Sequence, residues 1–283
     1  GVDESAYAGQ AAQVCGTLHR PHELEAPDMA ALPTLARRYG EPYGDASALP
    51  SFPVCAVARE EVKVVMNGDC GDELLGGYPR YALPDATLRL SAFLHRRRLP
   101  LVDPIGWLET QAPFPFKKVR RLLLHHLLLP DGGAFTMYGD RRGEAARRAL
   151  LRDEALRGQI SSWRAHWLGR SRAATDNAVD SLLWLDNHTY LPGDLLVKMD
   201  IASMHCGLEA RSPLLDHELV EFCARLPVSL KVRRGVGKWL LKRLAERYYP
   251  KDFVHRRKMG FGIPLVSWLR GPLAGLLADV LRD

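Results

Sequence analysis

Three acidic side chains lie close together in a glycine-rich segment of the chain. Asp69, Asp72 and Glu73 belong to the stretch NGDCGDE at residues 67–73. The apolar run at residues 62–66 comes directly before this stretch and predicts a buried parallel strand. Ligands bind at the carboxyl ends of such strands, and a helix starting at Asp69 would bring the three carboxylates to one face. Clustered carboxylates suit Mg²⁺, which takes oxygen ligands and often bridges to phosphates.

The same acidic segment also has a simpler structural interpretation. An acidic residue at a helix start caps free backbone N–H groups, and further acids in the first turn interact favourably with the helix dipole. The flanking glycines at positions 68, 71, 76 and 77 favour a binding site, because a simple cap does not need four of them. The residues alone leave both interpretations open.

Two lysines near the end of the chain lie in segments that could bind phosphate. Lys238 follows RRGVG at residues 233–237, which is not a P-loop, because Trp239 stands where Ser or Thr should follow the lysine. A lysine in the first turn of a helix is electrostatically unfavourable unless an anion lies nearby. Lys258 ends a run of cations that leads into Gly-Phe-Gly at residues 260–262, a segment that could close over a polyphosphate or form a solvated basic loop.

Composition and charge narrow the class of protein. The 283 residues are 47% hydrophobic and 25% charged, which is ordinary for a globular protein and excludes wholesale disorder. No stretch approaches the roughly 18 uninterrupted apolar residues of a membrane span. The five cysteines show no C-x-x-C spacing, which argues against a zinc site and favours a reducing cytoplasm. The net charge of +6 raises the question of a nucleic-acid surface, but most basic clusters lie beside acids or leucines, as on solvated helix faces.

The elements that must position these residues change character along the chain. The first part predicts an α/β unit, with a short strand over residues 17–25 and helices over residues 4–15, 28–39 and 52–61. From about residue 74 the pattern is helical, apart from a candidate strand at 229–232 and a proline-rich connection at 100–116. We therefore expect an α/β part over residues 1–82 and a mainly helical part over residues 83–283.

Two charged residues in the helical part have interpretations that need no ligand. Asp216 lies directly before His217-Glu218-Leu219 and predicts a helix N-cap. Lys198 lies among apolar residues, so its ammonium group needs a partner if it is buried.

Segments from three regions of the chain together resemble the synthetase domain of glutamine-dependent asparagine synthetases, the asparagine synthetase B family. VVMNGDCGDELLGGYPRY (64–81) is similar to the family's second nucleotide-binding motif, and LPGDLLVKMDIASMHCGLEARSPLLD (191–216) to its helix motif ending E-x-R-x-P-x-L-D. GVGKWLLKRL (235–244) and RRKMGFGIPLVSWLRG (256–271) are similar to its C-terminal lysine segments. The resemblance covers essentially all of residues 1–283, in family order. It implies an α/β fold, namely a partial Rossmann-like ATP-pyrophosphatase (adenine nucleotide alpha hydrolase-like) parallel sheet with a large helical region.

The resemblance also implies a reaction and a set of partners. Aspartate would be adenylated by ATP with Mg²⁺ to β-aspartyl-AMP, pyrophosphate would leave, and ammonia from a glutaminase domain would then form asparagine. By motif position, Asn67 and Gly68 would contact AMP, and Asp69 would take a proton from the attacking ammonia. Asp72 would bind Mg-pyrophosphate. Lys258, assisted by Lys238, would stabilise the charge on the phosphates. The family implies a cytoplasmic enzyme without nucleic-acid or membrane partners and leaves room for a homodimer of the full-length enzyme.

The chain also departs from the family pattern. Asn67 replaces the usual Ser, Cys70 replaces the usual Gly, and Ile201 stands where Arg is common. The first nucleotide motif, S-G-G-x-D-S, and the glutaminase domain are absent from the sequence. We therefore expect a C-terminal fragment or truncated homologue that is at best weakly active alone. A related amidotransferase acting on another carboxylate, and a degenerate scaffold without catalysis, are the alternatives.

Overall fold

A computed structural model describes residues 4–22, 32–41, 43–82, 151, 153–256, 263, 265–271 and 273–282 of the chain. The described helices, numbered in chain order, are α1 Ser5–Cys15, α2 Leu32–Tyr39, α3 Ala48–Glu61, α4 Gly71–Leu75, α5 Glu154–Ala174, α6 Ala178–His188, α7 Leu196–His205, α8 His217–Arg225, α9 Val228–Lys231, α10 Trp239–Ala245, α11 Lys251–Val254, α12 Leu265–Arg270 and α13 Ala274–Arg282. The described strands are β1 Val64–Met66 and β2 Glu209–Arg211. The described part is thus mixed α/β, mostly helical with a small parallel sheet.

The chain divides into two units. The first comprises Gly1–Gly68, Asp194–Pro213 and Lys242–Asp283, and the second comprises Asp69–Gly193 and Leu214–Leu241. The division predicted near residue 82 stays a prediction, because residues 83–150 lie outside the described part of the chain. Among the described helices, none is long and apolar enough to cross a membrane.

In the first unit, the small sheet is covered on one side by helices. Strand β1 pairs in parallel with β2, so that Val65 lies opposite Ala210. Val65 packs against a cluster that contains Phe52 of α3 and Ala202 of α7. The predicted strand is confirmed, but the prediction that it is buried is wrong, because Met66 is 78% exposed. Side chains alternate between the two faces of a strand, and only the face of Val65 meets the helices.

Two other predicted strands are wrong. Residues 17–22, the described part of the strand predicted at 17–25, form no regular structure. Gly16 ends α1 in the left-handed conformation (φ 63°), and Pro21 offers no N–H to a sheet. The strand predicted at 229–232 is instead helix α9, which begins after Pro227 and buries Lys231. The stretch 100–116 lies outside the described residues.

In the second unit, two capped helices form the core. Asp153 caps α5 by accepting a hydrogen bond from the N–H of Ala155 at 2.8 Å, and Asn177 caps α6 from Val179 at 2.9 Å. Such side-chain bonds satisfy donors that have no partner within the helix. The buried residues of this core include Leu182, Leu183 and Leu185 of α6, with Tyr81 beside them. The short helix α4 packs against α6 and α8.

Candidate functional site

The acidic segment does not form the single carboxylate face that the sequence predicts. Helix α4 begins at Gly71 rather than at Asp69, because Cys70 takes the left-handed conformation with φ 75°. Asp69 therefore lies outside the helical register. Glu73 is only 1% exposed and accepts a hydrogen bond from the hydroxyl of Tyr78. Among the residues the structure describes, no three His, Cys, Asp or Glu side chains are grouped to hold a metal ion.

Asp72 instead forms an ion pair with Lys238. The Nζ of Lys238 lies 3.0 Å from Oδ1 of Asp72, and both side chains are partly exposed, at 27% and 22%. The pair lies directly on the backbone of Gly77. A Cβ atom built at this glycine would lie 1.7 Å from Oδ1 of Asp72 and 2.4 Å from Cε of Lys238. A side chain at position 77 therefore cannot coexist with the ion pair.

Lys238 reaches this position because two glycine turns meet backbone to backbone. A Cβ atom on Gly237 would lie 2.0 Å from the carbonyl oxygen of Gly76. The N–H of Lys238 donates to the carbonyl of Leu75 at 2.8 Å, and Lys238 itself has a left-handed backbone with φ 54°. Left-handed backbone is costly for a residue with a side chain and persists where its surroundings enforce it. Helix α10 begins one residue later, at Trp239.

Cys70 does not place its side chain on the open side of the acidic loop. The thiol is buried and donates a weak hydrogen bond to Oδ1 of Asn187, with Sγ and Oδ1 3.8 Å apart. Burial, with the nearby Glu73, raises the pKa of the Cys70 thiol to about 12. The replacement of the family's glycine by cysteine therefore adds an unreactive group inside the fold.

The Glu73 carboxyl lies in an environment that favours its neutral form. Burial raises the pKa of Glu73 above its ordinary value, although the hydrogen bond from Tyr78 opposes this effect. The nearby Asp72 also raises the pKa of Glu73, whereas Lys238 lowers it.

Asn67 and Gly68 end the first unit directly after β1. The N–H of Asn67 donates to the carbonyl of Arg211 at 2.8 Å, and its Oδ1 accepts a hydrogen bond from the hydroxyl of Ser212. These bonds extend the strand pairing past Met66. Gly68 is exposed, and among the described residues a Cβ atom there would meet no atom within 4 Å. Packing within this part of the chain therefore gives no reason for glycine at this position.

A second charged network holds the turn before α3. The ammonium of buried Lys198 lies 2.8 Å from Asp45 Oδ2 and 2.7 Å from Ser47 Oγ, which confirms that this lysine has partners. Burial alone would raise the pKa of Asp45, but the hydrogen bonds from Lys198 and Ser47 outweigh it and hold the pKa below its ordinary value. Tyr43 donates to the carbonyl of Asp194 at 2.6 Å. The sequence singled out Lys198 but not the residues that bind it.

The structure thus describes five of the six predicted site residues. Asp72 and Lys238 are in contact, and Asp69 is half-buried in the same unit. Asn67 and Gly68 belong to the other unit, and Lys258 lies outside the described residues. The predicted N-cap is confirmed, because Asp216 accepts a hydrogen bond from the N–H of Glu218 at 3.0 Å.

The matches with known proteins all relate this chain to the same family. A family model described as asparagine synthase matches residues 1–283. A Mycobacterium tuberculosis protein provisionally named asparagine synthetase (glutamine-hydrolyzing) is 32% identical over 282 residues, covering 95% of this chain and 40% of that protein. Asparagine synthetase (glutamine-hydrolyzing) 1 of Bacillus subtilis is 27% identical over 255 residues, covering 90% of this chain and 39% of that protein. The chain thus spans about two fifths of the length of these relatives. No solved structure matches the chain.

Proposed function

The chain belongs to the asparagine synthase family, and on that premise we propose that the protein takes part in ATP-dependent amide synthesis. In the proposed reaction, ATP adenylates the β-carboxylate of aspartate and pyrophosphate leaves. Ammonia released from glutamine by a glutaminase domain then attacks β-aspartyl-AMP, so that asparagine forms and AMP leaves. The observation that carries the proposal is the Asp72–Lys238 ion pair, held on the backbone of a glycine turn.

The proposed fold is that of the ATP-pyrophosphatases, with β1 and β2 as two strands of its Rossmann-like parallel sheet. The parallel pairing of β1 with β2 supports this assignment, because parallel strands are joined by crossover connections in nucleotide-binding α/β folds.

The Asp72–Lys238 pair offers two opposite charges to one ligand. A complex of Mg²⁺ with pyrophosphate also presents two kinds of charge, a cation and phosphate oxygens. Magnesium is commonly held by one or two carboxylates while phosphates and waters complete its shell. A single carboxylate beside an ammonium group therefore fits the metal only when the phosphates arrive with it. Bound there by Asp72, the ion would offset the negative charge that develops on the departing pyrophosphate.

In the free protein, the two side chains satisfy each other. Binding would exchange partners, so that the carboxylate of Asp72 turns from the ammonium to the metal and Lys238 turns to a phosphate oxygen. Positioned cations that meet developing charge are the main source of catalysis in phosphoryl-type transfers. Lys238 would thus hold the phosphates as charge accumulates on them.

The remaining roles follow the family motif. Asp69 would accept the proton that attacking ammonia loses, and Lys258 would stabilise charge on the α-phosphate. Asn67 and Gly68 would contact the AMP portion. The open space around Gly68 supports its assignment, because none of the described residues lies where a side chain at position 68 would go.

The test uses the protein expressed from its complete gene and follows pyrophosphate release with ATP, Mg²⁺ and a panel of carboxylates. Dependence on aspartate is the expected result. Release with a different carboxylate would assign the protein to a related amide synthetase, and no release with any carboxylate would favour the non-catalytic scaffold.

The ion pair is tested in the same assay with Lys238→Ala and Asp72→Ala. We expect each to lower turnover about 10²-fold, since each removes a group that meets phosphate charge. Arg225→Ala is the matched control, because it breaks an exposed ion pair with Glu221 in the same unit. Turnover of Lys238→Ala and Asp72→Ala equal to that of the control would refute the assignment.

A further inference from the structure

Helix α4 carries Asp72 but has little local support. It has five residues, and helices this short are not stable in isolation. Cys70 precedes it and makes no side-chain cap, and both flanking residues, Cys70 and Gly76, are left-handed. A strained backbone of this kind is kept by contacts from the surrounding structure.

One side chain from another helix contacts this segment twice. Asn187 of α6 donates from Nδ2 to the carbonyl of Glu73 at 3.1 Å. Its Oδ1 accepts the hydrogen bond from the Cys70 thiol. Nδ2 also donates to the carbonyl of Leu183 at 2.7 Å, which fixes the amide on its own helix. The amide therefore contacts the residues on both sides of the Gly71–Asp72 dipeptide.

The chemistry of these contacts explains why the side chain is an amide. The Glu73 carbonyl needs a donor and the Cys70 thiol needs an acceptor, and an amide provides both on one rigid plane. A carboxylate at position 187 has no donor for the carbonyl, and a hydroxyl is too short to contact both groups.

We propose that Asn187 is a positioning residue, which holds the turn from Cys70 to Glu73 so that the carboxylate of Asp72 faces Lys238 and the bound metal–pyrophosphate. The role rests on the proposed function, because Asp72 is the residue through which Asn187 acts. Asn187 itself touches no reacting atom.

A purely structural role for Asn187 predicts a different outcome. If the amide only joined α4 to α6, its loss would lower stability without altering ligand affinity per folded molecule. Asn177 is the matched control, because it is the asparagine that caps the far end of α6, and its side chain also bonds to backbone. Asn177→Ala destabilises the same helix and leaves the α4 contacts in place.

The experiment compares wild type, Asn187→Ala and Asn177→Ala in the protein expressed from its complete gene. The first readout is the rate at which iodoacetamide labels Cys70 in the native protein, mapped by mass spectrometry. The second is the Kd for pyrophosphate with excess Mg²⁺, from calorimetry. For Asn187→Ala we expect about tenfold faster labelling and about tenfold weaker binding, whereas Asn177→Ala should match wild type in both. Equal values for the two variants would overturn the proposal.

A double variant tests whether the effect passes through the strained turn. Glycine adopts the left-handed conformation at position 70 without steric cost. Asn187→Ala with Cys70→Gly should therefore regain most of the lost affinity, and affinity no better than that of Asn187→Ala alone would refute action through the turn. If wild type does not bind Mg-pyrophosphate, the proposed function fails, whereas the labelling rates still report whether Asn187 holds the turn.

Discussion

Two carboxyl groups in this chain have pKa values shifted in opposite directions. Asp45 accepts hydrogen bonds from Lys198 and Ser47, which outweigh the effect of burial and lower its pKa. Glu73 is more deeply buried, and the hydrogen bonds from Tyr78 and from backbone do not offset that burial, so its pKa is raised. The balance between burial and hydrogen-bond donors thus decides whether the charge of a carboxylate is favoured.

The raised pKa of Glu73 makes its contribution to stability dependent on pH. Since the folded pKa lies above the ordinary value of 4.5, the favourable contribution is complete below pH 4.5 and is lost as pH rises through the folded pKa. The side chain of Glu73→Gln cannot ionise, so the free energy of unfolding of the variant relative to wild type should rise between pH 4.5 and 8. Urea denaturation across this range measures the difference. A flat difference for Glu73→Gln would contradict the expectation.

Substitution of Gly68 distinguishes a role in binding nucleotide from a role in packing. Because a Cβ atom fits there without contact, the free energy of unfolding of Gly68→Ala should lie within about 0.5 kcal/mol of the wild-type value. If the backbone of residue 68 lies against AMP, the added methyl group should raise the KM for ATP about tenfold. Gly158→Ala in α5, where a Cβ atom also meets nothing within 4 Å, is the control and should leave the KM unchanged. An unchanged KM in Gly68→Ala would remove this residue from the nucleotide site.

At the level of elements, a helix start is predictable where its cap is a local side chain. Asp216 caps α8 because a side chain reaches N–H groups two and three residues ahead, which is a local relation that the sequence displays. The sequence predicts the start of α4 two residues too early, at Asp69. The left-handed backbone of Cys70 delays the helix, and no residue pattern indicates this conformation. Asn187 was missed for a related reason. A lone asparagine in a helix has no spacing signal, and its contacts with Cys70 and Glu73 join residues more than 100 positions apart.

Asp216 belongs to the family motif, and its contacts assign it a structural role. Asp216→Ala should lower the free energy of unfolding by about 1 kcal/mol, because α8 loses the acceptor for its first N–H groups. Asp216→Asn retains an acceptor oxygen and should stay close to wild type. Thermal unfolding of both variants, with pyrophosphate release per folded molecule, separates the cap from catalysis. A large loss of turnover in Asp216→Asn would show that the carboxylate has a further role.

In the part of the chain that the structure describes, several cations form ion pairs with acids. Arginines pair with neighbouring glutamates in two helices: exposed Arg225 pairs with Glu221 in α8, and half-buried Arg157 pairs with Glu154 in α5. The buried cation Lys231 pairs with Asp180 at 2.8 Å. The sequence shows the net charge of +6 and the helical spacing of the two arginine pairs, whereas the Lys231–Asp180 pair, 51 residues apart, depends on the fold. Pairing of this kind reduces the field available to a polyanion.

We therefore expect weak binding to nucleic acid. Poly(A) RNA and duplex DNA should bind with a Kd above about 10⁻⁵ M at 150 mM salt, within the non-specific range. Fluorescence anisotropy at several salt concentrations measures both the affinity and its salt slope. Submicromolar binding that weakens steeply with salt would instead identify a nucleic-acid surface.

The left-handed backbone at residue 70 also bears on how this sequence can evolve. Either cysteine codon becomes a glycine codon by a single base substitution, whereas a lysine codon, as at residue 238, requires two. A single base substitution, giving Cys70→Gly, can therefore remove the backbone strain at residue 70. The same substitution removes the hydrogen bond of the thiol to Asn187. Residues 70 and 187 should accordingly change together in descendants of this gene, with glycine at 70 following any loss of the amide.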